Sequence, residues 1–294
     1  MTESFRSGYV AFIGRSNVGK SSLLNVVLGQ KIAIVADRQQ TTRNRILGIK
    51  NYPEAQIIFL DTPGIHKPRH ALGSIMVRTA REVLSEMDLV VFVTEPDAVE
   101  KDGYIIESFE DLDRPVILLI NKIDRIKKPE ILSHIETYRN LFPFKEIIPV
   151  SAVKHDGIDR FLMKALEYLP YGPKYYSDDL VTDQMERFMV SEIIREKIVK
   201  STSEEIPHCV AVEVINWTEK KDGLLVIEAN IYVEREGQKG VIIGHRGKML
   251  KLIGTMARLD IEKFLDAKIF LELRVKVKKG WRDDKKILNE LGYR

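Results

Sequence analysis

Between Tyr9 and about Leu169 the chain alternates short apolar, β-branched runs with longer stretches whose apolar positions recur at helical spacing. The apolar runs predict strands over 9–13, 44–50, 56–60, 88–94, 115–120 and 147–150, and the amphipathic stretches predict helices over 19–29, 71–86, 102–111, 129–141 and 156–168. Elements in that order form βαβ units, which build a doubly wound, mostly parallel six-stranded α/β sheet. Such sheets bind ligands at the carboxyl ends of their strands, so the residues just after each strand are the first candidates for chemistry.

The alternation stops at 170–179, where two prolines, a glycine and polar side chains interrupt it. Residues 1–172 therefore read as one domain, 173–183 as a linker and 184–294 as a second domain. The second opens with a helix over 184–201. Two alternating runs follow, 207–218 and 224–235, joined through Lys220-Lys221-Asp222-Gly223, where Asp-Gly signals a hairpin. A third short run ending in Val241-Ile242-Ile243 reads as a strand, then come a helix over about 247–265, a strand over about 268–277 and a last helix from Asp283. This is an α+β domain.

The length of 294 residues agrees with two domains. The longest apolar runs, such as Val116-Ile117-Leu118-Leu119-Ile120, fall far short of the roughly 18 residues that cross a bilayer, so no transmembrane segment is expected. Met1-Thr2-Glu3-Ser4-Phe5-Arg6 lacks a signal-peptide profile, and a cytosolic location is expected. The single cysteine, Cys209, sits in the alternating run Cys209–Val214 and reads as a packed core thiol in a strand. Charge is uneven: residues 1–180 hold 24 basic and 24 acidic side chains, whereas 235–294 hold 16 basic and 8 acidic. The C-terminal end is thus the part suited to a polyanion.

Directly after the first strand, Gly14-Arg15-Ser16-Asn17-Val18-Gly19-Lys20-Ser21 matches the phosphate-loop pattern G-x-x-x-x-G-K-S, and Ser22 carries the chain into a helix. Glycines let successive N–H groups face the phosphates, Lys20 brings a point charge to the β- and γ-oxygens, and Ser21 offers a hydroxyl to Mg²⁺. Asp61-Thr62-Pro63-Gly64 ends the third strand. Asp61 there suits Mg²⁺, usually through a water, and the Gly64 N–H suits the γ-phosphate. Asn121-Lys122-Ile123-Asp124 ends the run from Val116. A carboxylate at Asp124 accepts from guanine N1–H and the 2-amino group, a pair that adenine lacks. Asn121 either contacts the other edge of the base or ties this loop to the phosphate loop, the Lys122 stem packs on the ring, and Ser151-Ala152 offers a backbone N–H to guanine O6.

In this order the motifs resemble those of the translation-factor-like GTPases, and the resemblance covers the first half of the chain. It implies a Mg·GTP-dependent switch. Gln39-Gln40-Thr41-Thr42-Arg43 would be the first switch, with Thr42 favoured over Thr41 as the Mg²⁺ ligand. Ile65 stands where many relatives carry the glutamine that orients water, so turnover is expected to be slow or assisted. Asn17 resembles the asparagine through which related GTPases hold potassium, the alternative being a simple loop former. Lys20, Thr42, Gly64 and Asn17 are the residues expected to serve hydrolysis.

In the second half, G-x-x-G occurs twice. Gly237-Gln238-Lys239-Gly240 lacks a following helix, whereas Gly244-His245-Arg246-Gly247 opens a long one, the context of a KH domain. Arg246, Lys248 and Lys251 place cations beside that turn, Arg274, Lys276, Lys278 and Lys279 add a second basic stripe, and His245 reads as a loop residue. A switch GTPase followed by a linker and this type II KH domain resembles the Era family of bacterial ribosome-assembly GTPases, essentially end to end. The Gln40-Thr41-Thr42-Arg43 run and the apolar Ile65 belong to the match. The resemblance implies binding of the 3′ end of 16S ribosomal RNA, a role in maturation of the 30S subunit gated by GTP, a monomeric state and peripheral association with the inner membrane.

Overall fold

The computed structural model describes residues 5–36, 38, 41–65, 68, 70–96 and 98–293. Met1 to Ser4 and the Gln39-Gln40 pair of the expected switch lie outside the described residues. Ile34–Thr41, Pro68–Ile75 and the chain from Gln184 onward form one compact unit, and the other described residues form another.

In the first unit, β1 (Arg6–Ile13) leads through the phosphate loop to α1 (Lys20–Leu28), followed by β2 (Ile46–Tyr52) and β3 (Ala55–Asp61). There follow α2 (Ala71–Glu86, in this unit from Met76 onward), β4 (Leu89–Thr94), α3 (Val99–Ile106), β5 (Val116–Ile120), α4 (Lys128–Arg139), β6 (Glu146–Pro149) and α5 (Ile158–Tyr168). The strand order is β2-β3-β1-β4-β5-β6, parallel throughout except that β2 runs antiparallel to β3. β4 and β5 are buried at every position, the continuous apolar pattern of strands covered on both faces. α3 starts three residues before the expected helix, with Glu100 and Asp102 in its first turn. β1 lies between β3 and β4, so the chain leaves it in a crevice between neighbours of opposite winding.

The stretch read as a linker runs along β2 and β3. Ile49 N donates to Val181 O at 2.8 Å, Thr182 Oγ1 to Leu47 O at 2.6 Å, and the N–H groups of Tyr175 and Tyr176 to Gln56 Oε1 at 2.9 and 3.0 Å. The first two bonds satisfy backbone groups that the β2 edge would otherwise expose.

In the second unit, α6 (Glu186–Ser201), α7 (Ile206–Cys209), β7 (Ala211–Glu219), β8 (Leu225–Val233), α8 (Glu236–Ile243), α9 (Lys248–Leu265), β9 (Ile269–Val277) and α10 (Lys285–Glu290) follow in order. β7 and β8 form the expected hairpin, and β9 joins β8 in parallel. Ile194 and Ile198 of α6, Ile227 and Ile231 of β8, and Ile253, Ala257 and Ile261 of α9 make the core. Val35 N donates to Glu196 Oε1 at 3.1 Å, and the Arg195 guanidinium donates to Thr41 O, so α6 holds both ends of Ile34–Thr41.

Two expectations fail here. Val241–Ile243 is the last turn of α8, not a strand, and Gly237 and Gly240 lie inside that helix. Gln238 Oε1 accepts the N–H groups of Glu234 and Arg235, capping the first turn. Of the three apolar residues Ile242 is buried while Val241 is half exposed, which is a helical stripe rather than a strand through the core. Cys209 ends α7 instead of opening β7. It is buried, and its carbonyl accepts Trp281 Nε1–H at 2.9 Å.

Candidate nucleotide site and KH groove

The end of β1 delivers Gly14 with φ 155°, where a Cβ would lie 2.2 Å from the Val93 carbonyl oxygen of β4. Only glycine fits that close approach. Lys20 turns back into its own loop, donating to Gly14 O at 3.0 Å and Arg15 O at 2.8 Å. Burial pushes its ammonium pKa down to about 8, with Asp61 opposing the shift and Arg15 adding to it. An anion in the loop would oppose the same burial effect, so the site is matched to a phosphate chain.

Three side chains converge at the start of α1. Ser21 Oγ donates to Asp61 Oδ2 at 2.5 Å, and the Thr42 hydroxyl lies 2.7 Å from Ser21 Oγ and 3.3 Å from the same carboxylate oxygen. Asp61 is fully buried, its second oxygen has no hydrogen-bond partner, and burial pushes its pKa up against the opposing pull of Lys20, Ser21 and Thr42. Two hydroxyls and an under-coordinated carboxylate are hard oxygen donors, which fit Mg²⁺. Thr41 is placed elsewhere, its hydroxyl on Arg38 O at 2.7 Å. Thr62 donates to Phe12 O at 2.8 Å, Pro63 is buried, and a Cβ on Gly64 would lie 2.6 Å from the Ser16 backbone nitrogen. The Ile65 side chain is packed in the apolar core.

The expected base loop faces the phosphate loop. Asn121 Nδ2 donates to Val18 O at 2.9 Å and Oδ1 accepts Ala152 N–H at 3.1 Å, so of the two roles open to Asn121 the structure displays the tie between loops. Gly19 makes room for it, since a Cβ there would lie 2.2 Å from Nδ2. Lys122, at φ 64°, reaches Asn17 O and Glu95 Oε2, each at 2.6 Å. Ser151 Oγ donates to Asp124 Oδ1 at 2.5 Å and orients that carboxylate. The Ser151 N–H is engaged with Asp156 O at 3.0 Å. Both backbone N–H groups of the pair read as donors to guanine O6 are thus engaged within the protein, and the pair fixes Asp124 and Asn121. Val18 is fully buried, Ser22 lies in the first turn of α1, and Ile123 begins a short 3-10 turn that carries Asp124.

Three residues that support the site, Asp102, Tyr138 and Thr94, have no counterpart in the sequence reading, which named only their partner Arg15. Arg15 Nε donates at 2.7 Å to Asp102, a fully buried carboxylate of α3 that also accepts from Tyr138 of α4 at 2.6 Å and from Thr94 at the end of β4. Burial and the Asp102 charge push the Tyr138 phenol well above its ordinary range, so it stays a neutral donor. Asp102 thereby anchors the phosphate loop from below. The one available signal was an acidic residue on the apolar face of a helix.

In the second unit, Gly244 at φ 70° and Gly247 at φ 76° frame the turn into α9, and a Cβ on Gly244 would lie 2.6 Å from that of Met249. His245, Arg246, Lys248 and Lys251 are exposed around it. Gly247, Leu250, Lys251, Gly254, Thr255 and Arg258 face Leu271 and Leu273 across a cleft of about 400 Å³. Strand alternation puts Arg274, Lys276 and Lys278 on the other face of the sheet from Leu271 and Leu273. Arg274 is paired with Glu272 at 2.7 Å and Glu228 at 3.3 Å, and Lys278 with Glu290 at 3.3 Å, while Lys276 and Lys279 are exposed. The two basic stripes are therefore separate, and Lys251 of the first lines the groove while Arg246 and Lys248 stand exposed at the turn beside it.

A family model described as a 50S ribosome-binding GTPase matches residues 9–122, and a KH domain model matches 205–282. GTPase Era of Ruminiclostridium cellulolyticum is 50% identical over 295 residues, 99% of this chain and 98% of the relative. GTPase Era of Geotalea uraniireducens is 50% identical over all of both chains. Among solved structures, a variant of Aquifex aeolicus Era bound to GDP and AlF4⁻ superposes with a TM-score of 0.94 at 41% identity, covering 98% of this chain and 99% of that one. Era in complex with MgGDPNP and nucleotides 1506–1542 of 16S ribosomal RNA superposes at 0.95, with the same identity and coverage. With two GTPase-type motif loops tied together by Asn121, a KH groove in the second unit and relatives half identical over the whole chain, this chain belongs to the Era family of GTPases.

Proposed function

We propose that this GTPase is a Mg²⁺-dependent switch that binds the 3′ end of 16S ribosomal RNA through its KH groove and acts in assembly of the 30S subunit. The observation that carries the switch is the convergence of Ser21, Thr42 and Asp61, with one buried Asp61 oxygen lacking a partner. Mg²⁺ there would neutralise charge on the β- and γ-phosphates. Gly14 to Ser21 cradles the phosphates, Lys20 meets the β- and γ-oxygens, Asp124 reads guanine, and Asn121 holds the two loops in register. Thr42 and the Gly64 N–H respond to the γ-phosphate, so the segments around them follow the nucleotide state. With Ile65 in the core, no side chain at that position orients water, and slow unassisted turnover follows.

Potassium held near Asn17 would supply the missing positive charge. Turnover is expected to be at least several-fold faster in potassium than in sodium at equal ionic strength, and equal rates would remove this role.

The RNA reading is supported by the relative solved with 16S nucleotides and by the exposed cations around Gly244–Gly247. Replacing Arg246 and Lys248 together by Glu is expected to weaken binding of a single-stranded RNA of the 16S 3′ sequence by at least about tenfold. The same change should flatten the salt dependence by roughly 0.7 per lost phosphate contact. Arg274→Glu is expected to do less, because its charge is already paired with Glu272 and Glu228. Filter binding across a salt series decides, and equal losses at the two places would move the RNA off the groove. Among the described residues no helix is long and apolar enough to cross a membrane, so the peripheral membrane association implied by the family would rest on exposed cations.

A further inference from the structure

Four hydroxyls of the nucleotide site have partners within the protein. Ser21 and Thr42 meet Asp61, Thr62 meets Phe12 O, and Ser151 meets Asp124. Ser16 Oγ, in the middle of the phosphate loop, is buried and has no hydrogen-bond partner. A buried hydroxyl in that condition destabilises the protein unless something pairs with it.

Its position says what that partner is. A methyl group on Gly64 would fall 2.5 Å from Ser16 Oγ, so the hydroxyl stands in the seam between the phosphate loop and the loop after β3. The seam is held closed by Ile65 N–H donating to Gly14 O at 3.2 Å and by the Tyr104 hydroxyl of α3 donating to Ile65 O at 2.8 Å. The phosphate-loop lysine and the loop after the Walker-B aspartate both serve the γ-phosphate in switch GTPases, and Ser16 abuts Gly64 of that loop and follows Arg15, whose carbonyl accepts from Lys20 at 2.8 Å. GDP, which ends at its β-phosphate, lacks the γ-oxygens that the loop after the Walker-B aspartate serves. Ile65, the next residue after Gly64, has its side chain in the core and competes for nothing there.

We propose that Ser16 Oγ donates a hydrogen bond to a non-bridging oxygen of the γ-phosphate, distinguishing GTP from GDP and stabilising charge during hydrolysis. In that reaction the oxygen of water bonds to the γ-phosphorus as the bond to the β,γ-bridging oxygen breaks. The bridging oxygen leaves on GDP with the electron pair, and a water proton ends on the released phosphate. Ser16 forms and breaks no covalent bond. The inference rests on the GTP-binding reading of this loop and adds a residue to it.

The test uses the full chain and Ser16→Ala, with GDP and the non-hydrolysable analogue GDPNP as probes. The variant is expected to bind GDPNP about tenfold more weakly, the factor for one hydrogen bond to a charged group, while GDP affinity changes less than twofold. Single-turnover GTP hydrolysis should slow by a similar factor. The melting temperature of the nucleotide-free variant should equal or exceed that of the parent, because an unpaired buried hydroxyl is removed. Equal changes for GDPNP and GDP, or no change for either, overturn the proposal. A parent protein that binds neither nucleotide would instead defeat the reading of the loop itself. Ser16→Gly guards against an effect of the alanine methyl and should reproduce the selective loss.

Discussion

Asp124→Asn is expected to lower affinity for guanosine nucleotides by roughly two to four orders of magnitude and to raise affinity for xanthosine nucleotides. Two charge-assisted hydrogen bonds to the base, each contributing about 1.5–3 kcal/mol, become one neutral acceptor and one donor facing the guanine amino group. Xanthine carries an oxygen in place of that amino group and restores the pair. The local geometry makes the exchange clean, because Ser151 Oγ donates to Asp124 Oδ1 and would keep the amide oxygen of asparagine on its own side. The new nitrogen then occupies the Oδ2 position. Asn121, bonded to Val18 and Ala152, is left in place, so the phosphate loop should be undisturbed. Competition between labelled GDP and XDP measures the outcome. An unchanged preference for guanosine would mean that Asp124 does not face the base.

Gly64→Ala should separate nucleotide binding from hydrolysis. The added Cβ would lie 2.6 Å from the Ser16 backbone nitrogen and Cα, atoms that cannot move aside as the end of a flexible side chain would. Relief requires the loop after Asp61 to withdraw, breaking the Ile65 N–H to Gly14 O bond. Overpacking of this kind costs about 1–3 kcal/mol, so single-turnover hydrolysis should fall by between roughly ten- and a hundredfold. GDP, which needs only the phosphate loop and the base loop, should bind within a few-fold of the parent. A proportional loss of GDP binding would show that the seam belongs to the loop's basic architecture and not to its γ-phosphate response.

The buried network beneath the phosphate loop explains why these local changes are expected to stay local. Asp102 holds Arg15, Thr94 and Tyr138 at once, and Glu95 meets Lys122 at 2.6 Å with Arg15 Nη2 at 3.6 Å. Phosphate loop, base loop, α3 and α4 therefore share one set of charges. Interactions of this kind are stronger in a buried, low-dielectric setting, and removing one partner leaves the others unsatisfied.

The strands of the nucleotide-binding half were legible from the chain alone, because runs such as Val116–Ile120 are apolar at every position and must be covered on both faces. The phosphate loop, Asp61 and Asp124 were legible because each needs a particular residue type at a strand end. Three things were decided only in three dimensions. α8 replaced an expected strand, since three successive apolar residues do not reveal whether one face or both will be buried, and the cap at Gln238 settled it. The cations after Gly247 and those on β9 form one basic section in sequence, yet the twofold alternation of a strand sends Arg274 and Lys276 away from the groove. Asp102 and Arg15 are 87 residues apart, and no local pattern marks a pair whose reason for existing is the desolvation that folding imposes on both. Local chemistry wrote the motifs. Long-range burial chose which polar atoms would be paired and left Ser16 without a partner.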